Sequence, residues 1–600
     1  MKSPIFPFSD NGPEQLSSTP TALQLLSSAF CCFFVAVQST IMAGFSLFLG
    51  FIIPVAGWIL YVLYSLAVNY NKAKTTGLPI VILPIDSGNP LWMAVDTRIL
   101  PYFKNLPFTK NFTRFNYRGW EIHDRYKAHQ EIGDAFILVT PGKNWLQLCN
   151  AETLIDINAR GKEFTRPTEM LAMLNVYGPN LGTTEGTQWQ RHRKITATCF
   201  NENNNEIVWS EVIRQATGMR KYWSSKSSIN TIGDDVRTLS LHVMSSAGFG
   251  KSYPYQGAEE ESDTQGSANI RDALKLILDN CIALVALGPK NLDKWWLPKS
   301  WKPLHEATVT FQNYMTNAYE EGKKAAADGN THGNNLMNSL VRASQAESKE
   351  ASSQGGLTEQ EIYGNIFVFN FAGHDTTANT LAFGIASIAT RPDVQDWIAE
   401  EINEVLGDQD PETSNYAEIF PRLKRCLAVT YETVRLFTPV AIVKTSGPEP
   451  RELKVNDSTH ILPPHTMIIP SYSAMHTHPR HWGSNSLAWE PSRWIIPAST
   501  SSSNPATESF LEFPKANNPF IAWSGGVRVC PGRKFSQVEF VGVLVGLFKD
   551  YKVKSVQLEG ESEEDAIERL KLLIKEDTGF RLLLQLLHPE RMFLKWEKRV

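Results

Sequence analysis

The chain has 600 residues, with 58 Lys+Arg against 62 Asp+Glu for a formal net charge of −4, and 42% of its residues are hydrophobic. That balance excludes the basic footprint of a nucleic-acid partner, so the short run Arg191-His192-Arg193-Lys194 needs a local explanation. The seven cysteines include no Cys-x-x-Cys pair and no zinc spacing, which argues against a disulfide framework and for a reducing compartment.

No charged residue occurs between Glu14 and Lys72, and the most apolar part of that stretch is residues 43–68. About 20 apolar residues cross a bilayer core, so 43–68 is predicted to be a transmembrane anchor, with Pro54 and Gly57 tolerable in a membrane helix. A weaker run from Leu23 to Ile41 leaves a second span open within the N-terminal segment 1–42. The apolar part is too long for a cleaved signal peptide. Lys72 and Lys74 follow the anchor and place the remainder on the cytoplasmic side. Residues 69–90, with Pro79, Pro84 and Pro90, read as a hinge, and residues 91–600 read as one catalytic domain.

Trp189 and Arg193 stand four residues apart, on one face of a predicted helix. Taken alone, that basic cluster is equally a solvated helix face. The polar stretches 325–356 and 498–509 read as surface loops. Thr358 opens the most readable helix: it can cap the first turn while Glu361 reaches back, and Pro392 stops the helix after about Arg391. Inside it lies Ala372-Gly373-His374-Asp375-Thr376-Thr377, where a glycine and two β-branched threonines are poor helix formers. This is either a tolerated kink or a widened turn carrying an acid and a hydroxyl. Glu432 and Arg435 share a helix face, as an exposed ion pair or as part of something buried with Arg493. Residues 453–473 read as short strands and turns.

The most informative stretch is Trp523-Ser524-Gly525-Gly526-Val527-Arg528-Val529-Cys530-Pro531-Gly532. A glycine-rich turn delivers one cysteine to the start of an apolar helical run, Phe535 to Phe548. A thiol at a helix N-terminus is drawn toward thiolate, and Pro531 suits the first helical position. The residues alone allow a thiolate presented to a metal or an electrophile, or an ordinary buried cysteine in a glycine loop.

This stretch resembles the haem-binding loop of the cytochrome P450 family, Phe-x-x-Gly-x-Arg-x-Cys-x-Gly, with Trp523 replacing the usual Phe. Ala372–Thr377 resembles the family's oxygen-activation motif. Glu432 and Arg435 with Pro491-Ser492-Arg493-Trp494 resemble its buried triad, although Ser492 and Trp494 depart from the family's Glu and Phe. Trp189 and Arg193 resemble its Trp-x-x-x-Arg helix. These occur in the family's order from about Leu78 onward.

The resemblance implies a mainly α fold with a smaller β region, the cytochrome P450 fold, preceded by an N-terminal transmembrane helix. It implies a haem b whose iron takes Cys530 as axial ligand. Trp189, Arg193, Ala372, Gly373, Trp523, Gly526, Arg528 and Gly532 would surround the cofactor, with Asp375 and Thr376 as catalytic residues in proton delivery. It further implies O2 as co-substrate and electrons from NADPH through a separate cytochrome P450 reductase on the endoplasmic reticulum membrane, with the domain facing the cytosol. The wording around the motifs looks like filamentous-fungal members, which suggests a lipophilic substrate in secondary metabolism. Segments near Leu171–Leu181, Phe367–Phe371 and Phe437–Thr445 would face that substrate. A haem-thiolate isomerase or dehydratase needing no reductase, and a non-catalytic haem sensor, are the alternatives; neither explains Asp375 beside Thr376.

Overall fold

The computed structural model describes residues 52–599 except 94, 105, 107–108, 258–267, 281–282, 285–286, 329–334, 350–354 and 498–504. The expected segment 1–42 and the first residues of the expected anchor lie outside the described residues. The described chain forms two units, one ending at Val68 and the other Asn69–Val600.

Helix α1, Ile52–Lys74, is 23 residues long and its most apolar window has a mean hydropathy of 1.7. At 1.5 Å per residue it is roughly 35 Å long, enough for a hydrocarbon core of about 30 Å. Ile53, Trp58, Leu60, Tyr61 and Tyr64 are all exposed along it, as length and composition suited to a membrane span require. The helix runs past residue 68 into the stretch expected to be a hinge. That stretch also holds strand β1, Ile80–Ile82, because an Ile-Val-Ile run between Pro79 and Pro84 favours extended backbone.

The larger unit is mainly helical with a smaller β region, as expected. Strands β2, Ala135–Val139, and β3, Asn144–Leu148, form a hairpin. Next along the chain come helices α2, Ala151–Ala159; α3, Gly186–Ala197; α4, Glu202–Ser225; and α5, Ile232–Phe249. Helix α6 is Leu336–Lys349, α7 is Glu359–Ala389, and α8 is Lys424–Leu436. Strands β4, Lys444–Thr445; β5, Arg451–Val455; β6, Ser458–Leu462; and β7, Met467–Pro470, follow, then helix α9, Arg533–Phe548. Strands β5 to β7 bear out the short strands expected there. The five-stranded sheet has the order β1-β2-β3-β7-β4, so β7 and β4 carry the chain after α8 back beside the early hairpin.

Helix α7 is the spine of this unit. Its capping box is formed as expected: the Glu361 N–H donates to Thr358 Oγ1 at 3.3 Å and the Thr358 N–H to Glu361 Oε2 at 2.8 Å. Packing explains its length, since it is buried on all sides from Glu361 to Asn370 and again from Thr377 to Ala389. Helix α5 lies along α7, and α4 lies along α9.

Two expectations are corrected. The stretch 325–356 is not simply a loop, because α6 occupies its centre. Leu336, Met337, Leu340 and Val341 are buried together and recur at helical spacing along one face. Helix α7 is also α-helical without interruption through Ala372–Thr377. A Cβ on Gly373 would lie 2.9 Å from Met244 Sδ, so the glycine leaves room for the Met244 side chain of α5 against α7. Of the second expected loop, residues 505–507 form a short 3-10 turn and Glu508 is buried against Arg425; residues 498–504 lie outside the described residues.

Candidate active site

A cavity of ≈ 310 Å³ lies between α7 and the loop that precedes α9. Ala372, Gly373, Thr376 and Thr377 line it from α7, and Trp523, Arg528, Cys530 and Gly532 line it from the loop. Apolar wall comes from Leu181, Met244, Val368, Phe369, Val440 and Ile442. Each of the three segments expected to face a substrate thus contributes.

The loop's geometry depends on backbone that glycine alone adopts easily. Gly526 has φ 65°, and a Cβ there would sit 2.3 Å from the Asn158 carbonyl oxygen of α2. Closure comes from the Cys530 N–H, which donates to the Trp523 carbonyl at 2.9 Å. The Trp523 ring packs 5.2 Å from Tyr431, and its Nε1–H donates to Ser536 Oγ at 3.2 Å. Trp523 therefore keeps an aromatic ring in the loop, as expected of the departure from Phe.

Cys530 is exposed to the cavity it lines yet enclosed by the protein. Pro531 precedes the cap of α9 instead of taking its first helical position, because Gly532 is the cap and Arg533 begins the helix. The thiol is accordingly set back from the helix dipole. Burial pushes its pKa up, and the pull of the Gly532 N–H, Arg193, Arg166 and Arg533 does not fully offset it. The expected bias toward thiolate is therefore not met by these groups alone. Among the described residues no group of three or more His, Cys, Asp and Glu is placed to hold a metal. A metal at Cys530 must bring its remaining ligands with it.

The basic run in α3 now has its local explanation. Arg191 pairs with Glu361 and donates to the Gly356 carbonyl at 2.8 Å. His192 Nε2 lies 3.2 Å from Glu361 Oε1, and Lys194 pairs with Glu347 at 2.7 Å. These three tie α3 to α6 and to the start of α7. Arg193, on the face it shares with Trp189, lines the cavity instead. Arg528 lies over the Trp189 ring at 4.2 Å and pairs with Glu185.

Sequence reasoning missed Arg166. It lines the cavity, and its Nε is buried with no hydrogen-bond partner. A bridge between Thr165 and Thr445, closed by the Thr445 N–H on the Thr165 carbonyl at 2.8 Å, brings Arg166 beside β4 and Lys444. Burial first, then Arg166 and Arg528, holds the Lys444 pKa down to about 8. No local spacing signals this pairing, because it is made across some 280 residues.

Thr376 lines the cavity and Asp375, next to it, does not. The Thr376 hydroxyl donates to the Ala372 carbonyl at 2.6 Å. Asp375 is held by Arg237 of α5, whose Nε–H donates to Oδ1 at 3.3 Å. His374 contacts the Arg237 carbonyl at 3.1 Å and is buried away from the cavity.

The triad forms as the resemblance implied. Arg435 Nε and Glu432 Oε2 are 2.7 Å apart, Arg493 Nε and Glu432 Oε1 2.9 Å, and both Glu432 and Arg435 side chains are fully buried. Trp494, one of the two departures, joins it by donating Nε1–H to Glu432 Oε2 at 3.0 Å.

Apolar walls, one thiol and a cationic edge with an orphaned guanidinium N–H fit a flat apolar ring that carries a metal and two carboxylates. Comparison with known proteins agrees with that chemistry. Residues 100–581 match the cytochrome P450 family model. A cytochrome P450 monooxygenase of Penicillium roqueforti, ORF6, is 30% identical over 522 residues, covering 83% of this chain and 89% of its own. The prx9 monooxygenase of Penicillium rubens is 30% identical over 528 residues with the same coverage. A monooxygenase of the phomenoic acid biosynthesis cluster of Leptosphaeria maculans is 26% identical over 545 residues, covering 82% of this chain and 90% of its own. The chain belongs to the cytochrome P450 family, whose members are haem-iron oxidoreductases, here with monooxygenases of filamentous fungi as relatives.

Proposed function

We propose that this chain is a membrane-anchored haem-thiolate monooxygenase that inserts one oxygen atom of O2 into a lipophilic small molecule of fungal secondary metabolism. Its anchor is residues 43–68, and residues 69–90, which hold the end of α1 and strand β1, lead into a catalytic domain, 91–600, on the cytosolic face of the endoplasmic reticulum. The observation that carries the reading is one cavity lined at once by Cys530, by Ala372, Gly373 and Thr376, and by the cations Arg166, Arg193 and Arg528.

Haem b, when bound, would supply the activation of dioxygen. Cys530 would hold the iron through its thiolate. Trp189, Arg166, Arg193 and Arg528 hold the two carboxylates, Arg by its paired N–H donors. Gly526 and Gly532 keep the loop flat, Trp523 backs it, and Ala372 and Gly373 leave α7 without bulk at the wall. Val368, Phe369, Val440 and Ile442 exclude water and select an apolar substrate. Thr376 holds a proton at Oγ1 on the cavity wall. Asp375 sits one residue away with its carboxylate toward Arg237 and serves as the acid of proton delivery to Thr376. Electrons come from NADPH through a separate cytochrome P450 reductase. The Leptosphaeria relative, named for a biosynthetic cluster, supports the secondary-metabolite setting.

The test is turnover in membranes with reductase, NADPH and isotopically labelled dioxygen, using lipophilic polyketides and terpenoids as substrates. The product carries one labelled oxygen, and product formed without NADPH would overturn the reading. Thr376→Ala is expected to keep haem and to divert electrons to hydrogen peroxide; fully coupled turnover would remove Thr376 from proton delivery.

A further inference from the structure

Three guanidinium groups, of Arg166, Arg193 and Arg528, line one edge of the cavity, with Lys444 close enough to feel Arg166 and Arg528 and an acid, Glu185, paired with Arg528. Glu185 stands at the N-cap of α3, where a carboxylate ordinarily accepts from the first helical N–H groups, but its side chain makes no capping bond. Both its oxygens are turned to the cation cluster instead. Oε1 accepts from the Arg166 backbone N–H at 3.2 Å and Oε2 from the Arg528 guanidinium. Arg528 is pinned further by the Trp189 ring at 4.2 Å and by the Thr184 carbonyl, which both terminal nitrogens approach at 3.4 Å.

The charges can be counted. Under the haem-thiolate reading on which this inference rests, the cofactor brings two carboxylates and Cys530 a thiolate. The thiolate offsets the net +1 of a ferric porphyrin, so the two carboxylates face the three guanidinium groups of the lining and one positive charge is left over. Glu185 cancels it.

We propose that Glu185 is the counter-charge of the carboxylate-binding edge, a positioning residue that holds Arg528 and sets the reduction potential and retention of the haem. Two consequences follow from Coulomb's law in a partly desolvated site. Removing the negative charge stabilises the more electron-rich, reduced cofactor, so the potential rises. It also frees Arg528 for the haem carboxylates, so haem leaves more slowly. A residue that merely props up Arg528 has a different signature, with faster haem loss and no rise in potential.

The experiment uses the full chain, haem-loaded, in lipid nanodiscs. Glu185→Gln keeps the shape and a hydrogen-bond acceptor while deleting the charge. Its midpoint potential, by spectroelectrochemistry, is expected to lie above wild type. Haem transfer to an apo-globin scavenger is expected to slow about threefold, the effect of a partly exposed ion pair. An unchanged or lowered potential, or faster haem loss, overturns the proposal. If Glu185→Gln does not load haem, Arg528→Gln and the double variant carry the test: the potential falls in the first and returns toward wild type in the second, and failure to return overturns it. The two readings fail separately. A wild-type protein without the red-shifted carbon-monoxide band of thiolate ligation contradicts the haem-thiolate reading, whereas that band with unmoved potentials contradicts Glu185 alone.

Discussion

Around Glu432 every buried charge is spent within the protein, whereas at the cavity edge the charges are left partly unspent. Arg435 uses all five of its N–H donors: two on Glu432 at 2.7 and 2.8 Å, and the others on the carbonyls of His476 at 2.6 Å, Ser486 at 2.7 Å and Ala488 at 3.0 Å. Glu432 also accepts from the Glu490 N–H at 2.7 Å and from Arg493 and Trp494. At the cavity, Arg166 keeps a buried Nε with no partner, and burial lowers the pKa of both Arg166 and Arg193, with Cys530 acting against it in each. Desolvating a guanidinium is costly unless something repays it. The triad is repaid by the fold and therefore holds structure. At the cavity edge Arg528 is repaid by Glu185 but Arg166 keeps an unpaired Nε, and this separates a binding site from a scaffold built of the same residue types.

The largest expected effect breaks the first half of this contrast. Glu432→Ala strands Arg435 in a closed core and costs about 3–5 kcal/mol, the penalty of one partner removed from a buried pair. Denaturant unfolding should show that loss with or without haem, and stability within about 1 kcal/mol of wild type would mean the triad is not structural. Next in size is the opposite case. Arg193→Gln removes a desolvated cation with no structural task, so haem-free stability holds or rises while haem transfer to a scavenger quickens by about tenfold, or ~1.4 kcal/mol. If haem-free stability falls instead, Arg193 belongs to the scaffold.

The smallest effect comes from a buried charge handled in a third way. Glu539 on α9 has one hydrogen bond, from Ser240 Oγ at 2.7 Å, and its other oxygen is buried and unpaired. Burial pushes its pKa from 4.5 up to about 8, against the pull of Ser240. The folded protein therefore keeps a proton that the unfolded chain gives up. The associated stability is complete below pH 4.5 and is lost as the pH rises through about 8. Glu539→Gln should flatten that decline and be the more stable protein in alkaline melts. Parallel decline in the two proteins would show that Glu539 is not held neutral.

Much of the fold could be read locally. The Thr358–Glu361 box, Pro392, and the glycines before Cys530 act within a turn of the chain, and their chemistry is spelled out in adjacent residues. Glu432 with Arg435 was legible as a pair because helical spacing brings them together. Arg166 was not, since only the Thr165–Thr445 bridge makes it a neighbour of Lys444. Glu185 carries no signal of its own in the sequence, since only the fold turns its side chain to Arg528. Helix α6 was hidden by the polar residues that flank its short apolar face. Gly373 reads as a helix breaker from propensity, but packing against Met244 overrides propensity.

The functional reading of the cavity depends on Cys530 being the metal ligand there. The direct measurement is the absorption spectrum of the reduced, carbon-monoxide-bound protein, wild type beside Cys530→Ser. Thiolate ligation predicts a main band far to the red of a histidine-ligated haem in the wild type, and its loss in the variant. A folded, haem-loaded wild type without that band, or a serine variant that keeps it, would contradict the account.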